Sequence, residues 1–336
     1  MDASLSDAAV RYAPVIYHDP GEEHWPTNVD WLLARSALCF IDHTGLTPHT
    51  EVLLNAPTQE ELVTQQHPTA RDDTGNPVSS YGTRSTRKRL TYYLADVASA
   101  DASGSPNPGD WTTYLHTYPN DIGGTTLQYW RLYAMNAGLK LGALPAVVAT
   151  SAALSLTVGF HGGDWEGIHV ELDAALEPQR IRLLRHRDIL DRPWSAVELE
   201  ESTHPRVYVQ RGGHSSDLSG VEGGVRQQTW GADQGAVVVR PDGTQNPAGA
   251  LLDVGSKLAP ANEQVFTRYS GLWGSPSRFP LAGSQIHYIS SGYWGPAYNE
   301  TEMGPDGFIA AWGQGTRDPL MEVAGIREYY ATSTCP

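Results

Sequence analysis

Two cysteines in 336 residues, Cys39 and Cys335, leave no disulfide framework and no zinc-ribbon spacing. The opening MDASLSDAAVRYAP has neither the basic nor the apolar region of a secretory leader, so the chain reads as cytoplasmic. Positive charge is also scarce, with 23 Lys and Arg against 38 Asp and Glu and a net charge of −15. An acidic surface keeps a protein soluble, and it opposes broad nucleic-acid binding because phosphate contacts are made mainly by Lys and Arg. The local exception is the basic run TRSTRKR at 83–89, which reads as a solvated loop or as a contact for a phosphate or acidic substrate. No G-x-S-x-G elbow, P-loop or G-x-G-x-x-G after a strand occurs. The common hydrolase, nucleotide and dinucleotide readings therefore fall away, and no nucleotide cofactor is expected.

The uncharged stretch LGALPAVVATSAALSLTVGF at 141–160 is long enough to span a bilayer. It contains Pro145, two glycines and several Ser and Thr, its apolar residues are mostly small, and no Lys or Arg cluster flanks it. No transmembrane span is expected; the segment reads as an apolar insert forming a helix, a lid or a pocket wall.

What the chain has in quantity is Gly (34), Pro (23), Tyr (16) and Trp (10), the composition of short strands joined by tight turns. Strands are expected at 13–17, 112–118, 126–136, 166–172, 180–186, 206–210, 235–240 and 285–289, where β-branched and aromatic residues lie between turn residues. Two short helices are expected, one capped by Thr27 or Asn28 with Val29, Leu32 and Leu33 on its apolar face, near whose end Cys39 falls. The other is signalled by the capping-box pair Thr58 and Glu61. Residues 68–82 and 98–110 read as loops. The fold class that follows is mainly β with a few short helices, a β-sandwich or jelly-roll-like single compact domain over 1–336.

The segment FHGGDWEGIHVEL (160–172) concentrates polar chemistry. Asp164 and Glu166 stand two apart on a strand and share a face, with Cα atoms roughly 6.5 Å apart. That face continues into Ile168, Val170 and Leu172, so both carboxylates should point inward unless Gly167 marks a bulge. Buried carboxylates serve as general acids, as metal ligands or as structural groups satisfied by amides or Arg. Trp165 and His169 have the opposite parity, so His161, Asp164, Glu166 and His169 do not form one ligand set. His161, before a Gly162-Gly163 turn, folds over either face. Further candidates come from two distant segments: His18, Asp19, Glu22, Glu23 and His24 in YHDPGEEHW, and Arg211, His214 and Asp217 in QRGGHSSD. Asn120 and Asn136 orient a ligand or cap strand ends.

In chain order, YAPVIYHDPGEEHWPTNVDWLL, QYWRLYAMN, HGGDWEGIHVEL, RVYVQRGGHSSD and YSGLWGSPSRFP resemble the pieces of the Vps62-like family, named for vacuolar protein sorting. The resemblance spans positions 12–280 and implies a β-rich fold with a shared polar centre. It marks His18, Glu22 or Glu23, Trp31, Tyr129, Trp130, Asn136, His161, Asp164, Trp165, Glu166, His214 and Trp273. This chain departs from the family in having H-D-P-G-E for H-P-x-E, G-G-H-S-S for G-S-H-A, and the apolar insert. The resemblance carries no activity of its own.

Together these readings give an expected enzyme of small-molecule metabolism. Asp164, Glu166, His161 and His214 would carry acid–base or metal-assisted chemistry on a small apolar molecule or lipid, with His18, Asn136, Arg211 and Tyr129 binding the ligand. A divalent metal stays open as a cofactor. The alternative is a non-catalytic lipid- or membrane-associated binding module that makes contact through 141–160.

Overall fold

The computed structural model describes residues 3–18, 22–42, 49–72, 74–81, 90–137, 139–140, 157–158, 161–185, 188–209, 212–218, 251–253, 258–275, 278–280 and 286–288. The basic run 83–89, Asp19, Arg211, Cys335, the expected strand at 235–240 and all of 141–160 except Thr157–Val158 lie outside them. Thr157–Val158 pairs antiparallel with Leu139–Lys140.

A seven-stranded sheet organises the rest. Its order runs Asp188–Pro193, Pro178–Arg185, His161–Leu172, Thr125–Asn136, Thr113–Pro119 and Leu258–Pro260, with Pro26–Thr27 also pairing with Thr125–Asn136. All pairings are antiparallel except that of Leu258–Pro260 with Thr113–Pro119. The two twelve-residue strands at its centre are too long to be covered by one layer, and both faces are packed.

One face carries Leu127, Tyr129, Ile168, Val170, Leu172, Ile181 and Leu183. It packs on Ala8, Ala9 and Tyr12 around the first helix, and on Ile16, Val207 and Val209 of a second, five-stranded sheet. In that sheet Val15–His18 runs parallel to His204–Val209. The other face presents Trp130, Leu132, Ala134, Trp165 and Leu184 to the helices Val29–Leu33 and Gln59–Thr64, to Phe40, Tyr92 and Leu94 of a three-stranded sheet, and to Phe266, Tyr269 and Trp273. The fold is mainly β and β-sandwich-like, with three short helices among the described residues, as the composition implied. Among the described residues no helix is long and apolar enough to cross a membrane.

The expected caps are present: Asn28 Oδ1 accepts from Trp31 N at 2.7 Å, and Thr58 and Glu61 close a full capping box. Three expectations need correction. Cys39 lies inside the strand Ala37–Asp42, because Ala-Leu-Cys-Phe-Ile alternates between two packed neighbours, and it is not at a helix end. Residues 68–82 hold part of a hairpin, Gln66–Arg71 with Pro77–Ser79; its turn residues sit in the middle, where Asp72 Oδ1 accepts from the backbone N–H of Thr74 and Asn76. Ala3–Arg11 is a helix that the sequence reading did not include.

Gly167 makes no bulge and stays in register with Trp130, leaving the space filled by Leu184 and the Trp130 ring. The irregular glycine is Gly163, with φ +59 inside the strand rather than in a turn before it. A Cβ there would overlap the backbone carbonyl of Trp273. Gly163→Ala is expected to lower unfolding stability by about 1–3 kcal/mol, from left-handed strain and from the clash, read as a reduced urea midpoint at unchanged slope.

Candidate functional site

Parity along the central strands places the site. Asp164 lies across the ladder from Tyr133, and Glu166 across from Arg131. All four belong to the face shared with Tyr129 and Ile168, at the end of the sheet where the apolar packing gives way to polar groups. Asp164, Arg131, Tyr133, His18 and His214 are each fully buried. Removing so many polar groups from water costs several kcal/mol unless each finds a partner, so the bonding pattern defines the site.

Asp164 is the hub. Its Oδ2 accepts from His214 Nδ1 at 2.8 Å and from Asn136 Nδ2 at 3.3 Å, while Oδ1 lies 3.7 Å from His161 Nε2. His161 and Asp164 have opposite strand parity; the positive φ of Gly163 interrupts the alternation between them. His214 reaches Asp164 from a short loop with its own backbone at φ +54. Three bonds hold that loop: Gly212 N donates to Glu22 Oε2 at 2.8 Å, Ala137 N donates to Gly212 O at 2.8 Å, and Asn136 Nδ2 donates to Gly213 O at 3.2 Å.

The Tyr133 ring lies flat on the His214 imidazole, with centroids 3.8 Å apart and planes 3° from parallel. Arg131 Nη1 points at the Tyr133 hydroxyl from 3.5 Å, and a guanidinium can only donate. The Tyr133 proton is therefore directed to His18 Nε2, 3.0 Å away. Burial pushes the Tyr133 hydroxyl well up, opposed by Arg131 and reinforced by Glu166, Glu22 and Asp164, so it stays protonated and donates. Arg131 also donates to Ser216 Oγ at 2.9 Å.

On the far side of His214, Nε2 has no hydrogen-bond partner among the described residues and lies 4.0 Å from Glu22 Oε1. Burial alone would raise the Glu22 carboxyl. The His24 side chain, the nearby His214 and the backbone N–H groups of Gly212 and His24 instead hold it down at about 2. Glu22 is thus an anion fixed on all sides.

The structure gathers His161, Asp164, His214 and Asn136, places Glu166 on the same face, and links His18 through Tyr133. It does not bring Tyr129 into this group: its hydroxyl donates to Ala9 O at 2.8 Å and its ring sits in the apolar core. Arg211 lies outside the described residues. His169 sits on the opposite face, where its Nε2 meets Gln128 Nε2 at 2.8 Å; burial drives its imidazole down to about 3. Sequence reading missed Tyr133, Arg131 and Ser216. A signal existed for Arg131, the one cation in an otherwise uncharged strand, TTLQYWRLYAMN. Among the described residues no group of three or more His, Cys, Asp or Glu side chains is arranged to hold a metal ion.

No protein-family model and no curated protein matches the sequence. Among solved structures, Necrosis and Ethylene inducing Protein 2 from the causal agent of cocoa's Witches Broom disease aligns over 76% of this chain and 74% of its own, at 12% identity and a TM-score of 0.33. NLPPya in complex with mannosamine aligns over 74% of this chain and 83% of its own, at 8% identity and a TM-score of 0.29. NLPPya in complex with glucosamine covers the same shares at 10% identity and a TM-score of 0.29. Likeness at this level bears on neither the site nor its chemistry.

Two buried groups contribute to the acid stability. Glu22 titrates lower in the folded chain than its ordinary 4.5, so its contribution is complete above pH 4.5 and is lost as pH falls toward about 2. His169 also titrates lower when folded, so the unfolded chain takes up its proton first and stability falls as pH drops from 6.5 through about 3. His169→Gln is expected to flatten the stability curve between those limits, and Glu22→Gln the limb below pH 4.5, both measured by urea denaturation across pH.

Proposed function

We propose that the chain is an enzyme of small-molecule metabolism that moves a proton on a small, largely apolar substrate, with His214 Nε2 as the base. The observation that carries this reading is the asymmetry of His214. Its Nδ1 is engaged by Asp164 at 2.8 Å, while its buried Nε2 has no hydrogen-bond partner among the described residues.

A carboxylate at Nδ1 fixes the neutral tautomer with its proton on Nδ1, leaving the Nε2 lone pair to accept a proton. When Nε2 takes a proton, the imidazolium stands between Asp164 and the Glu22 carboxylate 4.0 Å away. In a water-poor interior such preset charges stabilise it far more than they would in water. The flat Tyr133 stack and the three-bond clamp on the 212–214 loop keep the ring from turning, so little reorganisation accompanies the transfer. Glu166, across the ladder from Arg131, supplies the counter-charge that allows a buried guanidinium at the site. The resemblance of the motif order to that of the Vps62-like family, on which this choice draws, marks His161, Asp164, Glu166 and His214 as the working residues.

The test is turnover of a panel of terpenoid, polyketide and fatty-acyl compounds, followed by mass spectrometry. His214→Gln and Asp164→Asn are expected to cut turnover by about 10²-fold or more while the fold is retained, the usual worth of a positioned base. Glu166→Gln is expected to reduce turnover as well. Wild-type rates in folded His214→Gln would remove the reading. Binding to lipid vesicles with no turnover of any compound would replace it with the non-catalytic alternative.

A further inference from the structure

We propose that Asp96, which no motif singles out, is a positioning residue of this site: it holds His161 at the rim as a second imidazole, the acid partner to the base His214. The inference rests on the acid–base reading above for its purpose, but its geometry stands separately.

Asp96 follows the strand Leu90–Leu94 of the three-stranded sheet, so it comes from a layer other than the one that supplies Asp164. It is clamped in both directions by Ser275: Asp96 N donates to Ser275 Oγ at 3.0 Å, and Ser275 N donates to Asp96 Oδ1 at 2.9 Å. The carboxylate sits directly over Gly162. A Cβ at that position would overlap Asp96 Oδ1 and would come within 3.4 Å of Gly274 Cα, so only glycine admits the approach. His161 is the next residue. Its Nδ1 donates to Gly162 O at 3.1 Å, which leaves Nε2 facing Asp164 Oδ1 at 3.7 Å.

Among the described residues, Asp164 from its own strand lies 3.7 Å from His161 Nε2, Asp96 from the neighbouring layer lies over the adjoining Gly162, and His214 and Glu22 lie beyond Asp164. Burial pushes the Asp96 carboxyl up, while the Ser275 backbone and hydroxyl, His161 and the Gly162 N–H pull it back, so imidazole and carboxylate sense each other's charge. His161 is 5% exposed and lies on the Oδ1 side of Asp164, with His214 on the Oδ2 side. Carboxylates near an imidazole favour its charged, proton-donating form, and an acid and a base on opposite sides of one carboxylate are the pair that a proton-shifting reaction uses.

The experiment is an NMR pH titration of the full chain with labelled histidine and aspartate. In Asp96→Asn the His161 midpoint is expected to fall by about one pH unit while the His214 midpoint stays in place, because only His161 loses an anionic neighbour. A His161 midpoint that does not move, or equal movement of both, overturns the proposal. In the wild type, which needs no variant to fold, the Asp96 carboxyl carbon is expected to show a step at the His161 midpoint; a flat trace there also overturns it. Neither readout depends on turnover, so failure of the acid–base reading and failure of the Asp96 assignment are separately visible.

Discussion

Burial of the His161–Leu172 strand on both faces is the constraint on which the rest of the structure depends. Every residue of that strand is buried, including Asp164, Glu166, His169 and Glu171. A half-buried strand can point its polar side chains at water. This one cannot, so each must be matched by groups from other strands and loops, and the matching fixes the register of the whole sheet. Glycine is used where layers approach too closely for a side chain, at Gly162 under Asp96, Gly163 under Trp273 and Gly167 under Trp130.

The two faces solve the same problem differently. On the face opposite the site, a single row runs straight across five strands: His116, Gln128, His169, Arg182 and Asp191 are cross-strand neighbours in turn. Gln128 bonds to both histidines, and Arg182 divides its guanidinium between Glu171 at 2.7 Å and Asp191 at 3.2 Å. Each member of that row is satisfied by its neighbour, and His169 is held neutral. That is the pattern of a structural network. On the site face the groups converge from three layers, and an imidazole nitrogen is left over at the centre. A clamped loop, a positive-φ histidine and a coplanar tyrosine together hold that one ring.

The fold class was legible because it rests on local physics. Alternation, turn residues and caps are properties of neighbours in sequence, and the strands at 113–119, 125–136 and 178–185 and both capped helices lie within a few residues of where those signals put them. The common inward face of Asp164 and Glu166 was equally readable, since period two requires nothing beyond the strand itself. The same rule left the face of Trp165 and His169 undecided, because whether a second layer covers the other face is not a local property.

The sequence by itself determined the β architecture, the acidic and cysteine-poor character, and the candidacy of His161, Asp164, Glu166 and His214 from separate segments. Only the tertiary structure decided which of these meet. It joined His214 to Asp164 across 50 residues, placed Glu22 and Tyr133 against the same ring, put Asp96 over Gly162 from another layer, and sent Tyr129 into the core. The reason is physical: strand parity and turn chemistry act over a few residues, whereas contact between distant segments is set by how layers stack to exclude water, and that depends on the whole chain at once.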